Sequence, residues 1–112
     1  MSISTHVLDL VAGGPAVGVP IRLERRDADG FAVIAEGSTD HDGRITGGLV
    51  PKGAGVAGVH RIRFDTGAWF AARGTRGFYP YVEVVFEVVE PEAHHHVPLL
   101  LGPYGYSTYR GS

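Results

Sequence analysis

Turn-forming residues recur at short, even intervals along this 112-residue chain, and the segments between them are rich in Val, Ile, Leu and aromatic residues. The breaks fall at 13–15, 29–30, 42–43, 51–53, 76–77, 90–91 and 102–103, and each contains Gly or Pro. This spacing is typical of an all-β sandwich of short strands. The sequence predicts one domain over residues 1–112, with strands at 3–11, 18–27, 31–38, 43–47, 58–65, 80–89, 94–101 and 104–110.

Two local patterns support the strand prediction. Asp29-Gly30 lies between two β-rich segments and is a good hairpin signal. Residues 82–89 alternate so that Val82, Val84, Phe86 and Val88 share one face of a strand. In contrast, the glycine-rich residues 53–58 predict a flexible loop. They do not match a phosphate-binding loop, because its lysine and flanking order are missing.

One segment has the pattern of a helix. Residues 66–74 contain several alanines, have Asp65 or Thr66 as an N-cap candidate and end at Gly74. We therefore expect a helix of about two turns, with Trp69 and Phe70 packing it against the sheet rather than binding a ligand.

Composition excludes several classes of protein. The chain has no cysteine, so disulfides and thiolate zinc sites are not available. Its 10 basic and 12 acidic residues form no basic stripe, which argues against a nucleic-acid partner. The first residues lack a basic, apolar leader, and no apolar run reaches the roughly 18 residues of a membrane helix. We expect a soluble, cytoplasmic protein with no membrane partner.

Histidines and arginines are the candidate functional residues. On a strand, His94 and His96 would share one face while His95 joins the apolar residues of the other. Three adjacent histidines cannot all bind one ion, so we predict no metal site. Taken alone, these histidines could form a solvated strand end, His6 could be a core histidine, and Arg44 could be a surface arginine.

The end of the sequence suggests a further part of a site. Residues 109–112, Tyr-Arg-Gly-Ser, are polar and follow an apolar strand and two tyrosines that we expect to tether them. A tethered tail would bring a guanidinium and a terminal carboxylate close to the other candidates.

Together these segments resemble one known family. The sequences Ser-Thr-His-Val-Leu-Asp at 4–9, Asp-Gly-Arg at 42–44, His-His-His-Val-Pro-Leu-Leu-Leu at 94–101 and Pro-Tyr-Gly-Tyr-Ser-Thr-Tyr-Arg-Gly-Ser at 103–112 look like those of the 5-hydroxyisourate hydrolases. These transthyretin-related enzymes act in urate breakdown. The resemblance implies a transthyretin-like two-sheet β-sandwich of about eight strands with one short helix. It also implies a homotetramer, a dimer of dimers with active sites at the dimer-dimer interface.

The resemblance also implies roles for individual residues. His6, Arg44, His96 and Ser112 match the catalytic set, while Tyr109 and Arg110, with His6 and Arg44, match the substrate-binding set. The implied reaction needs no cofactor: water attacks the C6 carbonyl of 5-hydroxyisourate and the N1–C6 bond breaks. An imidazole with a pKa of about 6.5 is suited to move the protons near neutral pH. Which of His6 and His96 is the base stays open.

Two other functions fit the same fold class. A transthyretin-like carrier of a small ligand would share the sandwich and the tetramer but would not need His6, Arg44, His96 and the terminal tetrapeptide together. An adhesive or sugar-binding module is less consistent with a chain that has no cysteine.

Overall fold

The computed structural model describes residues 2–50 and 57–112, so most of the loop expected at 53–58 lies outside the described residues. The described residues form two four-stranded sheets and one short helix, α1, at Thr66–Ala72. The strands are β1 Ser2–Asp9, β2 Gly14–Pro15, β3 Pro20–Asp27, β4 Gly30–Ser38, β5 Gly58–Phe64, β6 Val82–Val88, β7 His94–Leu101 and β8 Tyr106–Thr108. One sheet has the order β2-β1-β7-β8 and the other β4-β3-β5-β6. The predicted two-sheet sandwich with one helix is confirmed.

The predicted strand at 43–47 is wrong. Arg44 makes one isolated antiparallel bridge to His6, and no strand forms there. The carboxylate of Asp40 accepts the backbone N–H groups of Asp42 and Arg44 and the hydroxyl of Thr46, which folds the segment into a turn. The strand missing from the prediction is β2, whose Gly and Pro read as a break, and the last predicted strand is shortened to Tyr106–Thr108.

Pairing of β1 with β7 places the candidate residues. These two strands are parallel and in register, with Ser2 opposite His94 and Ser4 opposite His96. Alternate residues point to opposite faces of a strand. Ile3, Thr5 and Val7 of β1 are buried on the inner face, whereas Ser2, Ser4 and His6 lie on the outer face.

A shared hydrophobic core joins the two sheets and the helix. It includes Leu23, Ile62, Phe64, Val82 and Leu99. Trp69 and Phe70 of α1 are also buried in it, as predicted, and the indole N–H of Trp69 donates to the carbonyl of Val17 at 2.7 Å. The helix begins after Asp65, but the carboxylate of Asp65 accepts from Arg63 instead of capping α1. Within the described part of the chain, no helix has the length and apolar character to cross a membrane.

Candidate active site

Three of the predicted site residues meet on the outer face of the β1–β7 pair. His6 lies on β1 and His96 on β7, and both side chains are partly exposed on that face. Arg44 is joined to His6 by the backbone bridge. In the same turn, the carbonyl of Gly43 accepts a hydrogen bond from the N–H of Val7 at 2.8 Å. The two imidazoles and the guanidinium therefore come from three separate segments of the chain.

The turn that positions Arg44 is held by the carboxylate of Asp40. Asp40 accepts the N–H of Arg44 at 3.1 Å and the hydroxyl of Thr46 at 2.9 Å. Hydrogen bonds from the backbone of Arg44 and Asp42 lower the pKa of Asp40, so this carboxyl is ionised and a strong acceptor at neutral pH. Among residues 2–50 and 57–112 the guanidinium of Arg44 has no ion-pair partner, and it is exposed.

Gly43 makes the close approach of this turn to β1 possible. Its φ angle is 75°, in the left-handed region that favours glycine. A Cβ atom at this position would lie 2.4 Å from the carbonyl oxygen of Val7. Glycine at position 43 thus places Arg44 next to His6.

The electrostatic environment of His96 links the three residues. Burial lowers the pKa of His96 below its ordinary value of 6.5. The charge of Arg44 lowers this pKa further, and the charges of His94 and His6 add to the effect. His96 is therefore neutral at neutral pH, which is the form that accepts a proton from water.

The tail of the chain reaches His96 through Gly111. The N–H of Gly111 donates to the carbonyl of His96 at 2.8 Å, and a Cβ atom at Gly111 would lie 2.5 Å from Cδ2 of the His96 ring. Ser112 follows directly and is exposed. The expected tethering of the tail is present, since β8 also pairs with β7 through Leu101 and Tyr106.

Tyr109 and Arg110 lie beside a different surface. A cleft of about 230 Å³ opens between the two sheets, where β6 and the end of β8 come together. Tyr109 and Arg110 line this cleft with His95, whose side chain is buried on the inner face of β7. The full lining comprises residues 84–87, 95, 97 and 108–110. Within this one chain, two of the four predicted substrate-binding residues, Tyr109 and Arg110, therefore line a surface that does not include His6, Arg44 or His96.

A cluster of three potential metal ligands lies in the turn that precedes Arg44. Ligand atoms of Asp40, His41 and Asp42 lie within 4.8 Å of one another, and His41 and Asp42 are exposed. The carboxylate of Asp40 is already used to hold the Arg44 turn. This cluster is explained by the structure of the turn.

Sequence reasoning missed the residues that position the site. Ser4 hydrogen-bonds Nδ1 of His96 at 2.8 Å, and its place two residues before His6 on the same strand face was the available signal. Asp40 had a signal too, because Asp-x-Asp-Gly is a common turn sequence. Gly111 belongs to the terminal motif at 109–112, but no local pattern indicated its contact with His96, 15 positions earlier.

The protein is a β-sandwich of two mostly antiparallel sheets. One outer face carries two imidazoles and a guanidinium, a set of groups that is suited to acid–base chemistry. The profile of the HIUase/Transthyretin family matches residues 3–111. The chain belongs to the HIUase/Transthyretin family.

Individual relatives are similar over nearly the whole chain. The 5-hydroxyisourate hydrolase of Salmonella dublin is 44% identical over 110 residues, covering 98% of this chain and 80% of the relative. The structure of Klebsiella pneumoniae 5-hydroxyisourate hydrolase has a TM-score of 0.86 and 37% identity, with 100% of both chains covered. Sea bream transthyretin in complex with thyroxine has a TM-score of 0.91 and 36% identity, covering 99% of this chain and 95% of that one.

Proposed function

We propose that this protein is an enzyme that hydrolyses 5-hydroxyisourate. The observation that carries the proposal is the convergence of His6, Arg44 and His96 on one face, in a chain that is 44% identical to a 5-hydroxyisourate hydrolase over 98% of its length. The product is 2-oxo-4-hydroxy-4-carboxy-5-ureidoimidazoline, formed in urate catabolism by opening of the six-membered ring.

The proposed mechanism assigns a role to each group. One imidazole of the His6–His96 pair takes a proton from the attacking water and returns it to N1 as the N1–C6 bond breaks. Arg44 contacts the substrate oxygens and stabilises the negative charge of the tetrahedral intermediate. The lowered pKa of His96 supports its assignment as the base.

The tail completes the proposed site. Gly111 holds the segment against His96, and this contact supports a role for Ser112 in orienting an imidazole. Within one chain, Tyr109 and Arg110 line the cleft between the sheets. We therefore propose that they contact substrate in the site of a neighbouring subunit, or in their own site after a local rearrangement. A homotetramer, with sites at the dimer-dimer interface, would bring such residues together. The cytoplasmic location and the single domain over residues 1–112 stay predictions.

The proposal is tested by following the ultraviolet decay of freshly made 5-hydroxyisourate. The wild-type protein should accelerate the spontaneous decay, and His96→Ala or Arg44→Glu should lower turnover by roughly 100-fold or more. Arg76→Gln is the matched control, because it removes an exposed guanidinium in the loop after α1. Each variant is also sized in solution, so that loss of chemistry is separated from loss of assembly. Full turnover in either site variant would refute the role of that residue.

A carrier function is the second candidate. It is favoured by the similarity to sea bream transthyretin, whose structure holds thyroxine. A carrier would leave the spontaneous decay of 5-hydroxyisourate unchanged, so the same assay separates the two functions.

A further inference from the structure

Two serines and two histidines form a continuous row of hydrogen bonds on the outer face of β1 and β7. Ser4 Oγ lies 2.8 Å from Nδ1 of His96 and 3.1 Å from Nε2 of His94. Ser2 Oγ hydrogen-bonds Nδ1 of His94. The in-register pairing of the two strands produces this alternation, and the rings of His94 and His96 stack with centroids 6.2 Å apart. The row runs from half-buried His96 to exposed His94.

The hydroxyl of Ser4 couples the protonation of the two rings. A hydroxyl has one proton, so it donates to one imidazole while it accepts from the other. In the first arrangement, Nδ1–H of His96 donates to Ser4 and Ser4 donates to Nε2 of His94. In the second arrangement both hydrogen bonds are reversed. The two neutral rings therefore carry their protons on the same type of nitrogen, Nδ1 in the first arrangement and Nε2 in the second.

We propose that Ser4 and His94 form a proton relay that serves His96 during hydrolysis, an inference that rests on the proposed function. When Nε2 of His96 takes a proton from water, Nδ1 of His96 passes its proton to Ser4. The original hydroxyl proton of Ser4 moves to Nε2 of His94. Ser4 is unchanged, and the positive charge now lies on His94. The reverse transfers return the proton to His96, which delivers it to the leaving nitrogen.

Electrostatics favours this movement of charge. Burial and the charge of Arg44 both disfavour the imidazolium form of His96, as the lowered pKa of its ring shows. A positive charge on His94 also disfavours the imidazolium form of His96. The two rings therefore hold one extra proton between them more easily than two. His94 is exposed, so water can solvate a positive charge there, whereas His96 is half-buried.

The kinetic test uses Ser4 variants, because Ser4 is a positioning residue that does not need to touch substrate. Ser4→Ala should lower kcat about 10-fold or more with little change in KM, since general acid–base catalysis commonly contributes 10²–10⁴-fold. In mixtures of H₂O and D₂O, a curved dependence of kcat on deuterium content should become linear, because fewer protons move together. Ser4→Thr keeps a hydroxyl and should restore both properties.

The matched control is Ser107→Ala. Ser107 lies on β8, where it pairs with Leu100 of β7, and it is not among the serines and histidines of the row. This variant should keep the wild-type kcat and the curved isotope dependence. The relay would be overturned if Ser4→Ala kept the wild-type kcat and curvature. It would also be overturned if Ser4→Thr had no higher kcat than Ser4→Ala and no curvature.

A second measurement does not depend on hydrolysis. The ¹⁵N NMR shifts of the imidazole nitrogens report which nitrogen of each neutral ring carries the proton. The wild type should show matching tautomers for His94 and His96, and Ser4→Ala should remove this correlation. Opposite tautomers in the wild type would overturn the relay even in an active enzyme. Matching tautomers in a protein that fails to hydrolyse 5-hydroxyisourate would support the relay geometry and refute the proposed function alone.

Discussion

At the scale of single residues, the protonation of His96 determines what the site can do. The ring is half-buried, hydrogen-bonded to Ser4 at Nδ1 and close to the charge of Arg44. Burial and the charge of Arg44 both disfavour a positive charge on the ring, and the hydrogen bond with Ser4 fixes its orientation. A histidine in this environment remains neutral to lower pH than a free imidazole.

Removing the charge of Arg44 should raise the pKa of His96. Burial is the largest cause of the lowered pKa and is unaffected by Arg44→Gln, so we expect a partial return toward the ordinary value of 6.5. Because protonated His96 cannot act as a base, the acidic limb of kcat/KM should move to higher pH. NMR titration of the His96 ring measures the pKa directly, with Arg76→Gln as the control. An unchanged pKa would show that the guanidinium of Arg44 lies too far away to act on His96.

At the scale of elements, the turn from Asp40 to Thr46 positions Arg44, just as β1 and β7 position His6 and His96. Its carboxylate-to-backbone hydrogen bonds and the left-handed backbone of Gly43 hold it against Val7 of β1. Any change that lifts this turn from β1 also moves Arg44 away from His6, because the bridge between those residues is part of the same contact.

Gly43→Ala should lower both the stability of the protein and its kcat/KM. The added Cβ would meet the carbonyl of Val7 and would force a left-handed backbone on alanine, at a cost of about 1–3 kcal/mol. We expect a lower free energy of unfolding and at least a 10-fold loss of kcat/KM. Gly14→Ala is the matched control, since a Cβ there has open space and the glycine has no positive φ. Denaturant unfolding and the decay assay measure both effects, and wild-type values for Gly43→Ala would contradict the role of the turn.

The same elements show what the sequence could and could not predict. Turn signals between β-rich segments located most strands, and period-two alternation predicted the faces of His94 and His96, because both are local properties of the sequence. The strand predicted at 43–47 does not form, because the hydrogen bonds that hold this segment in a turn come from a side chain, that of Asp40, several residues away. The parallel pairing of β1 with β7 was not predicted, since a hydrophobic pattern does not identify the partner of a strand. The resemblance indicated the candidate site residues. The hydrogen bonds of Ser4 could not be predicted, because they depend on the register in which β1 pairs with β7.

At the scale of the whole molecule, one core histidine makes stability depend on pH. His60 of β5 is fully buried and stacks on Phe86 with ring centroids 5.7 Å apart. Its Nδ1 is hydrogen-bonded to the carbonyl of Gly58, and its Nε2 has no partner among the described residues. Burial lowers the pKa of His60, and the charges of Arg25 and His95 lower it further. The folded protein therefore holds this ring in its neutral form.

His60→Phe should make the protein less sensitive to acid. The unfolded chain protonates His60 near pH 6.5 while the folded chain does so at lower pH, so stability falls as pH drops below about 6.5. Phenylalanine removes this proton uptake and the unpaired nitrogen, with a gain of about 1 kcal/mol near pH 5 and less at pH 8. Denaturant unfolding at both pH values measures the difference. His41→Ala, which changes an exposed ring, is the control and should leave the pH dependence intact. An equal effect of His60→Phe at both pH values would exclude proton uptake as the cause.

The parallel contact between β1 and β7 has a consequence for biosynthesis. Its partners are separated by 92 positions, as in Ser4 and His96, so the ribosome must complete the second sheet and α1 before the contact can form. Contacts between distant segments are slow to form because closing a long loop costs chain entropy. We expect β3, β4 and β5, joined by neighbouring antiparallel pairs, to fold during translation, while β1 waits for its partner. The nascent chain would then form the face that carries His6 and His96 last.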